Sequence, residues 1–209
     1  MTIAQSNITL HKGDLPSGLS FPDGVAIDCE TMGLNPHRDR LCLVQLSSGD
    51  GRAHLVQIAK GQTSAPNLEA LIGDQTILKL FHFGRFDIAA LFHTFGTLAQ
   101  PVWCSKIASR LVRTYTDRHG LKALLSELLN EDISKLQQTS DWGAETLTPE
   151  QMAYAASDVL YLHRLKIELD ARLAREDRTD IAQACFDFLP SRAKLDLIGY
   201  PETDIFAHS

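Results

Sequence analysis

Apolar and polar positions alternate in short blocks through the first half of the chain and change to helical spacing in the second. Residues 24–31 (GVAIDCET), 40–48 (RLCLVQLSS) and 52–58 (RAHLVQI) read as strands. The last two flank Gly49-Asp50-Gly51, a strong hairpin signal, so the chain is expected to open with three antiparallel strands. A short helix near 67–73 follows, then an apolar run at 76–83 (TILKLFHF) that fits a fully buried strand. RFDIAALFHTFG (85–96) reads as a helix closed by Gly96, and PVWC (101–104) as a fifth strand. From Lys106 the pattern is helical, with breaks near 116–120 and 130–140. The best-marked helix starts at Thr148, where Thr148, Pro149 and Gln151 form a capping-box signature, and its apolar periodicity runs to about Leu173. This order predicts an α/β fold: a mixed sheet, antiparallel in its first three strands, flanked by helices.

One strand conflicts with its own pattern. Asp28 and Glu30 stand two apart in an otherwise apolar run, so both carboxylates project from the same face, a few ångströms apart. Two like charges at that distance repel, and buried charge without a partner is costly. Asp87 lies at the start of the helix after the fourth strand, a position that the helix macrodipole favours for an acid. Tyr154 and Asp158 are spaced i,i+4 and share a helix face, with Asp158 set among small and apolar neighbours in AYAASDVLYL. Four acids and a tyrosine suggest a site for hard cations with oxygen ligands, Mg²⁺ or Mn²⁺. Two such ions about 3.5–4 Å apart can stabilise the attacking and leaving oxygens of an in-line phosphoryl displacement. Tyr154 could then orient the attacking water through its hydroxyl.

Composition narrows the alternatives. With 209 residues, 44% hydrophobic and 22% charged, one domain with a substantial core is expected over 1–209. Its aromatic and aliphatic segment at about 185–209 should pack on that domain or on a neighbouring subunit. Cys29, Cys42, Cys104 and Cys185 are scattered and form no CxxC pair, which argues against a zinc site and a disulfide framework. The first fifteen residues have neither a basic nor an apolar leader region, and no run is long enough to span a bilayer, so a cytoplasmic protein with no membrane partner is expected. The net charge of -6 gives no global positive field for long nucleic acid. A polyanionic substrate must be held locally, by metal or by a few cations.

DCET (28–31), FHFGRFD (81–87) and SDWGAETLTPEQMAYAASDVLYL (140–162) resemble the three exonuclease motifs of the ribonuclease D group of DEDD 3′→5′ exonucleases, which share an RNase H-like fold. The Tyr154–Asp158 spacing matches the tyrosine subclass; the histidine subclass would need a histidine where Ala153 stands. HRDRLCLVQLSSGDG, TYTDRHGLK and the ending DIFAHS are similar to a compact alphaproteobacterial branch of that group. The resemblance implies that Asp28, Glu30, Asp87 and Asp158 hold two Mg²⁺ or Mn²⁺ ions per site and that Tyr154 positions the water. It further implies degradation of short RNA, chiefly dinucleotides, to mononucleotides by a ring-shaped homo-octamer, with DNA exonuclease activity also proposed for such enzymes. Trimming of longer RNA, or a non-catalytic nucleic-acid-binding scaffold, is the alternative.

Full-length ribonuclease D proteins carry extra helical RNA-binding domains, and only a few dozen residues follow the third motif here. A substrate gripped mostly at the active site is therefore expected. Its candidate contacts are Thr31, Leu34, His82 and Arg85, with Leu34 placed to wedge against terminal bases. Lys106, Arg110, Arg113 and Arg118 are further candidate cations for phosphates, whereas Trp103 reads as packing. Phe83-Gly84 and Glu145-Thr146 depart from residues common in ribonuclease D relatives, though neither pair touches the expected metal ligands.

Overall fold

The computed structural model describes residues 7–134 and 136–208. These contain a six-stranded sheet in the order β1-β4-β3-β2-β5-β6. Its strands are β1 (Ile8–Lys12), β2 (Val25–Thr31), β3 (Leu41–Ser47), β4 (Ala53–Gln57), β5 (Lys79–Phe81) and β6 (Val102–Cys104). β2, β3 and β4 pair antiparallel as the pattern predicts, while β5 and β6 extend the sheet in parallel from β2. β3 is buried at all positions because it lies centrally with packing on both faces, which explains why LCLVQLS lacks alternation. Gly49 and Gly51 in the β3–β4 hairpin take φ of 83° and 84°, a left-handed conformation suited to glycine. At Gly49 space matters too, since a Cβ would lie 2.7 Å from the His163 ring.

β1 was not expected from the pattern. ITLHK is short and pairs in parallel with β4, so its partner lies more than forty residues away, Ile8 opposite Ala53. The fourth expected strand is shorter than its apolar run, only Lys79–Phe81. Parallel pairing with β2 is recorded for Val25 and Ala26 against Lys79 and Leu80, and the chain then turns at Phe83.

The helices are α1 (Pro66–Gly73), α2 (Arg85–Phe95), α3 (Ser105–Val112), α4 (Leu121–Leu124, continued by a π-helical turn over Leu125–Leu129), α5 (Pro149–Leu160), α6 (Leu162–Arg175) and α7 (Thr179–Leu197). α2 closes as expected at Gly96, whose φ is 73°. The helix expected from Thr148 to Leu173 is two helices. Tyr161, at φ -106° and ψ -4°, ends α5 and starts α6 without a glycine or proline to mark the change.

α5 carries two of the candidate residues, and its start is well fixed. The Thr148 hydroxyl accepts from the Gln151 amide and the Gln151 side chain accepts from the Thr148 amide. Such a cap contributes about 1 kcal/mol. Leu43, Leu55, Trp142, Leu147 and Ala155 form a small apolar cluster between α5 and one sheet face. The larger core covers the other face and continues under α2, α3, α6 and α7. α7 packs on α2, α3 and β6, with the Phe186 ring 5.9 Å from Trp103. All four cysteines are free thiols. No helix is long and apolar enough to cross a membrane among the described residues.

Candidate active site

Three elements meet around the anomalous acids of β2. Strand alternation puts Val25, Ile27 and Cys29 into the larger core and turns Asp28 and Glu30 to the opposite face, beneath α5. One carboxylate oxygen each from Asp28, Glu30 and Asp158 lie within 4.8 Å of one another. Asp158 and Tyr154 reach this point from successive turns of α5, and the tyrosine hydroxyl is hydrogen-bonded to Asp158. Asp87 joins from the first turn of α2, 3% exposed, near enough to feel the charges of Asp28 and Asp158. The five residues that the chain spreads over 131 positions thus face one another.

Burial and mutual repulsion dominate the electrostatics of these carboxyls. Burial raises the Asp28 carboxyl. Glu30 is raised by burial and then by Asp28, Asp158 and Asp87. Asp87 is raised by burial and by Asp28, although its own amide and that of Cys29 favour the anion. Tyr154 is pushed far above the ordinary phenol value by burial and by Asp158, so it keeps its proton at neutral pH. Repelling hard oxygen donors at this spacing fit a divalent cation, which would return each carboxyl to its ionised form.

The rim is built from the loop after β2. The Thr31 hydroxyl donates to the Gly33 carbonyl, and the Asn35 amide donates to Asp39 at 3.0 Å. Leu34, at 84% exposure, projects from this loop into solvent rather than tucking into the core. His82 follows β5, with its Nδ1 2.8 Å from the Ser105 hydroxyl. Phe83 is half-exposed at φ 65°, and the Lys106 ammonium lies 4.1 Å above its ring. Arg85 is held elsewhere: its guanidinium pairs with Asp196 of α7 at 2.5 and 2.7 Å and donates to the Pro201 carbonyl.

Arg113 is not available as the phosphate-binding cation it was expected to be. It is fully buried, paired with Glu127 and donating to the Ser109 hydroxyl and the Arg118 carbonyl, so it braces the α3–α4 region. Trp103 packs as expected, its indole donating to Asp170 at 2.9 Å. Sequence reading gave no role to Trp142, which is buried with its ring 6.0 Å from that of Tyr154. Its only signal is its place in the SDWGAETL motif.

Known proteins resemble this chain over most of its length. Residues 15–174 match the family model described as 3′-5′ exonuclease. Ribonuclease D of Acidiphilium cryptum is 36% identical over 156 residues, covering 75% of this chain and 39% of that protein. The chain therefore spans about two fifths of the length of such curated relatives. Solved structures of Brucella melitensis NrnC match nearly end to end. The one with bound Mg²⁺ is 61% identical at a TM-score of 0.93, covering 97% of this chain and 100% of that one. The one bound to pGG is 62% identical at 0.94, covering 97% and 99%. With a mixed sheet of the same fold and an acidic cluster suited to divalent ions, the chain belongs to the 3′-5′ exonuclease family, as a ribonuclease D-like member.

Proposed function

We propose that this chain is a divalent-metal-dependent 3′→5′ exoribonuclease that degrades short RNA, chiefly dinucleotides, to mononucleotides in the cytoplasm. The observation that carries this reading is the convergence of Asp28, Glu30 and Asp158 oxygens within 4.8 Å, with Asp87 and Tyr154 beside them. The four acids would hold two Mg²⁺ or Mn²⁺ ions, which supply charge stabilisation for the attacking and leaving oxygens of the phosphodiester. The acids come from β2, α2 and α5, elements locked by core packing, so the site is preorganised.

Tyr154 serves as a hydrogen-bonding group rather than a base. Its pKa is raised, so the hydroxyl remains protonated and bonded to Asp158, placed to orient a water near the scissile phosphorus. Replacing Tyr154 with Phe should slow turnover by about 10²-fold with Mn²⁺ still bound. Parallel kinetics and calorimetry check this, and an unaltered rate would remove the water-orienting role.

The preference for short RNA draws support from the near end-to-end likeness to NrnC, a protein solved in complex with pGG. The formal charge of -6 also gives little hold on an extended backbone. Leu34 would wedge against a terminal base, with Thr31 and His82 beside the nucleotide. Any phosphate contact by Arg85 would compete with its Asp196 pair. Residues 1–209 would act as one exonuclease domain within a ring of eight copies. A time course on 5′-labelled RNAs from two to about ten nucleotides tests the preference, dinucleotides being consumed fastest. Dinucleotides that accumulate and persist would instead favour trimming of longer RNA.

A further inference from the structure

Gln45 lies in the middle of β3, wholly buried, and neither its amide nitrogen nor its amide oxygen has a hydrogen-bond partner among the described residues. Buried carboxamides are rarely left so, and an apolar residue of the same length would serve packing better. Its position supplies a reason. In the β2–β3 register Gln45 stands directly opposite Asp28, so both side chains leave the sheet on the same face, beneath α5. Cross-strand partners have Cβ atoms roughly 5 Å apart, and glutamine is one methylene longer than aspartate. Asp28, its cross-strand partner, supplies one of the carboxylate oxygens of the cluster it shares with Glu30 and Asp158. A carboxylate of the acid cluster thus faces a buried, unpartnered amide across one strand pair.

We propose that Gln45 is a positioning residue for Asp28, its amide N–H groups orienting the carboxylate that the cation-binding site requires. This rests on the reading of the acid cluster as a divalent-metal site. A ligating carboxylate uses one oxygen toward the ion, and the other is fixed by neighbouring donors. Glu30 cannot receive the same service, because its cross-strand partner is Leu43. Gln45 would therefore act on one ligand of the cluster and not on the site as a whole.

The test is Mn²⁺ binding by isothermal titration calorimetry on the full chain, with thermal midpoints measured in chelator. The variants are Gln45→Met, Gln45→Leu and Asp28→Asn. Both Gln45 variants should keep or raise the metal-free midpoint, since an unpartnered buried amide is removed, while Mn²⁺ affinity falls about 10- to 100-fold. Asp28→Asn should lose the tightest binding altogether. Affinities within twofold of wild type in either folded Gln45 variant would overturn the proposal. So would a failure of both variants to fold, which would make Gln45 a structural residue. A wild-type chain that binds no Mn²⁺ would reject the metal site itself, and the role of Gln45 with it.

Discussion

Asp28→Asn or Asp158→Asn should reduce hydrolysis of an RNA dinucleotide by roughly 10³-fold or more while the chain stays folded. Each change keeps the side-chain shape and removes one anionic oxygen donor from the 4.8 Å cluster. The remaining acids cannot replace it, because each is held in place by its own backbone element: Asp28 and Glu30 by β2, Asp87 by α2, Asp158 by α5. Folding should not suffer, since neither residue belongs to the apolar clusters under α5 or under α2 and α7. Circular dichroism and single-turnover kinetics on the same samples check the pair of expectations. Activity within tenfold of wild type in either variant would contradict the assignment of these acids as metal ligands.

The second large effect is on stability. Mg²⁺ or Mn²⁺ at about a hundred times the dissociation constant should stabilise the fold by ~2.7 kcal/mol. For a chain of this size that corresponds to a rise of roughly 5–11 °C in Tm. The pH dependence has a definite sign. In metal-free protein Asp28, Glu30 and Asp87 have folded pKa values above the ordinary carboxylate value, so they hold protons that the unfolded chain releases. Folding takes up protons in that interval, and stability therefore falls as pH rises from about 4 toward neutrality. Asp28→Asn relieves part of the repulsion, so in chelator it should melt at or above the wild-type midpoint around neutral pH. Melting curves from pH 4 to 8, with chelator and with Mn²⁺, measure all of these. A wild-type Tm indifferent to divalent ions would count against the site.

The parts of the fold written in local pattern were legible in advance. Short strand-like blocks and the Gly49–Gly51 turn located β2, β3 and β4 to within about a residue, and the Thr148 cap located the start of α5. The site was legible because its clue is a local contradiction, two acids on one face of an apolar strand. What was missed depends on distant partners. β1 is specified by pairing with β4, and ITLHK alone carries too few positions to show it. The break at Tyr161 leaves the apolar periodicity intact on both sides, so no sequence signal marks it. Arg113 looks like its exposed neighbours until Glu127 and the Arg118 carbonyl close around it. Gln45 hides within LCLVQLS as one polar letter in a buried strand, and only the register with Asp28 gives it meaning.

Anomalous diffraction from crystals of the chain grown with Mn²⁺ tests the central claim most directly. Manganese peaks bounded by Asp28, Glu30, Asp87 and Asp158, with Tyr154 alongside, are the predicted result. Crystals saturated with Mn²⁺ but showing no peak among these carboxylates would contradict it.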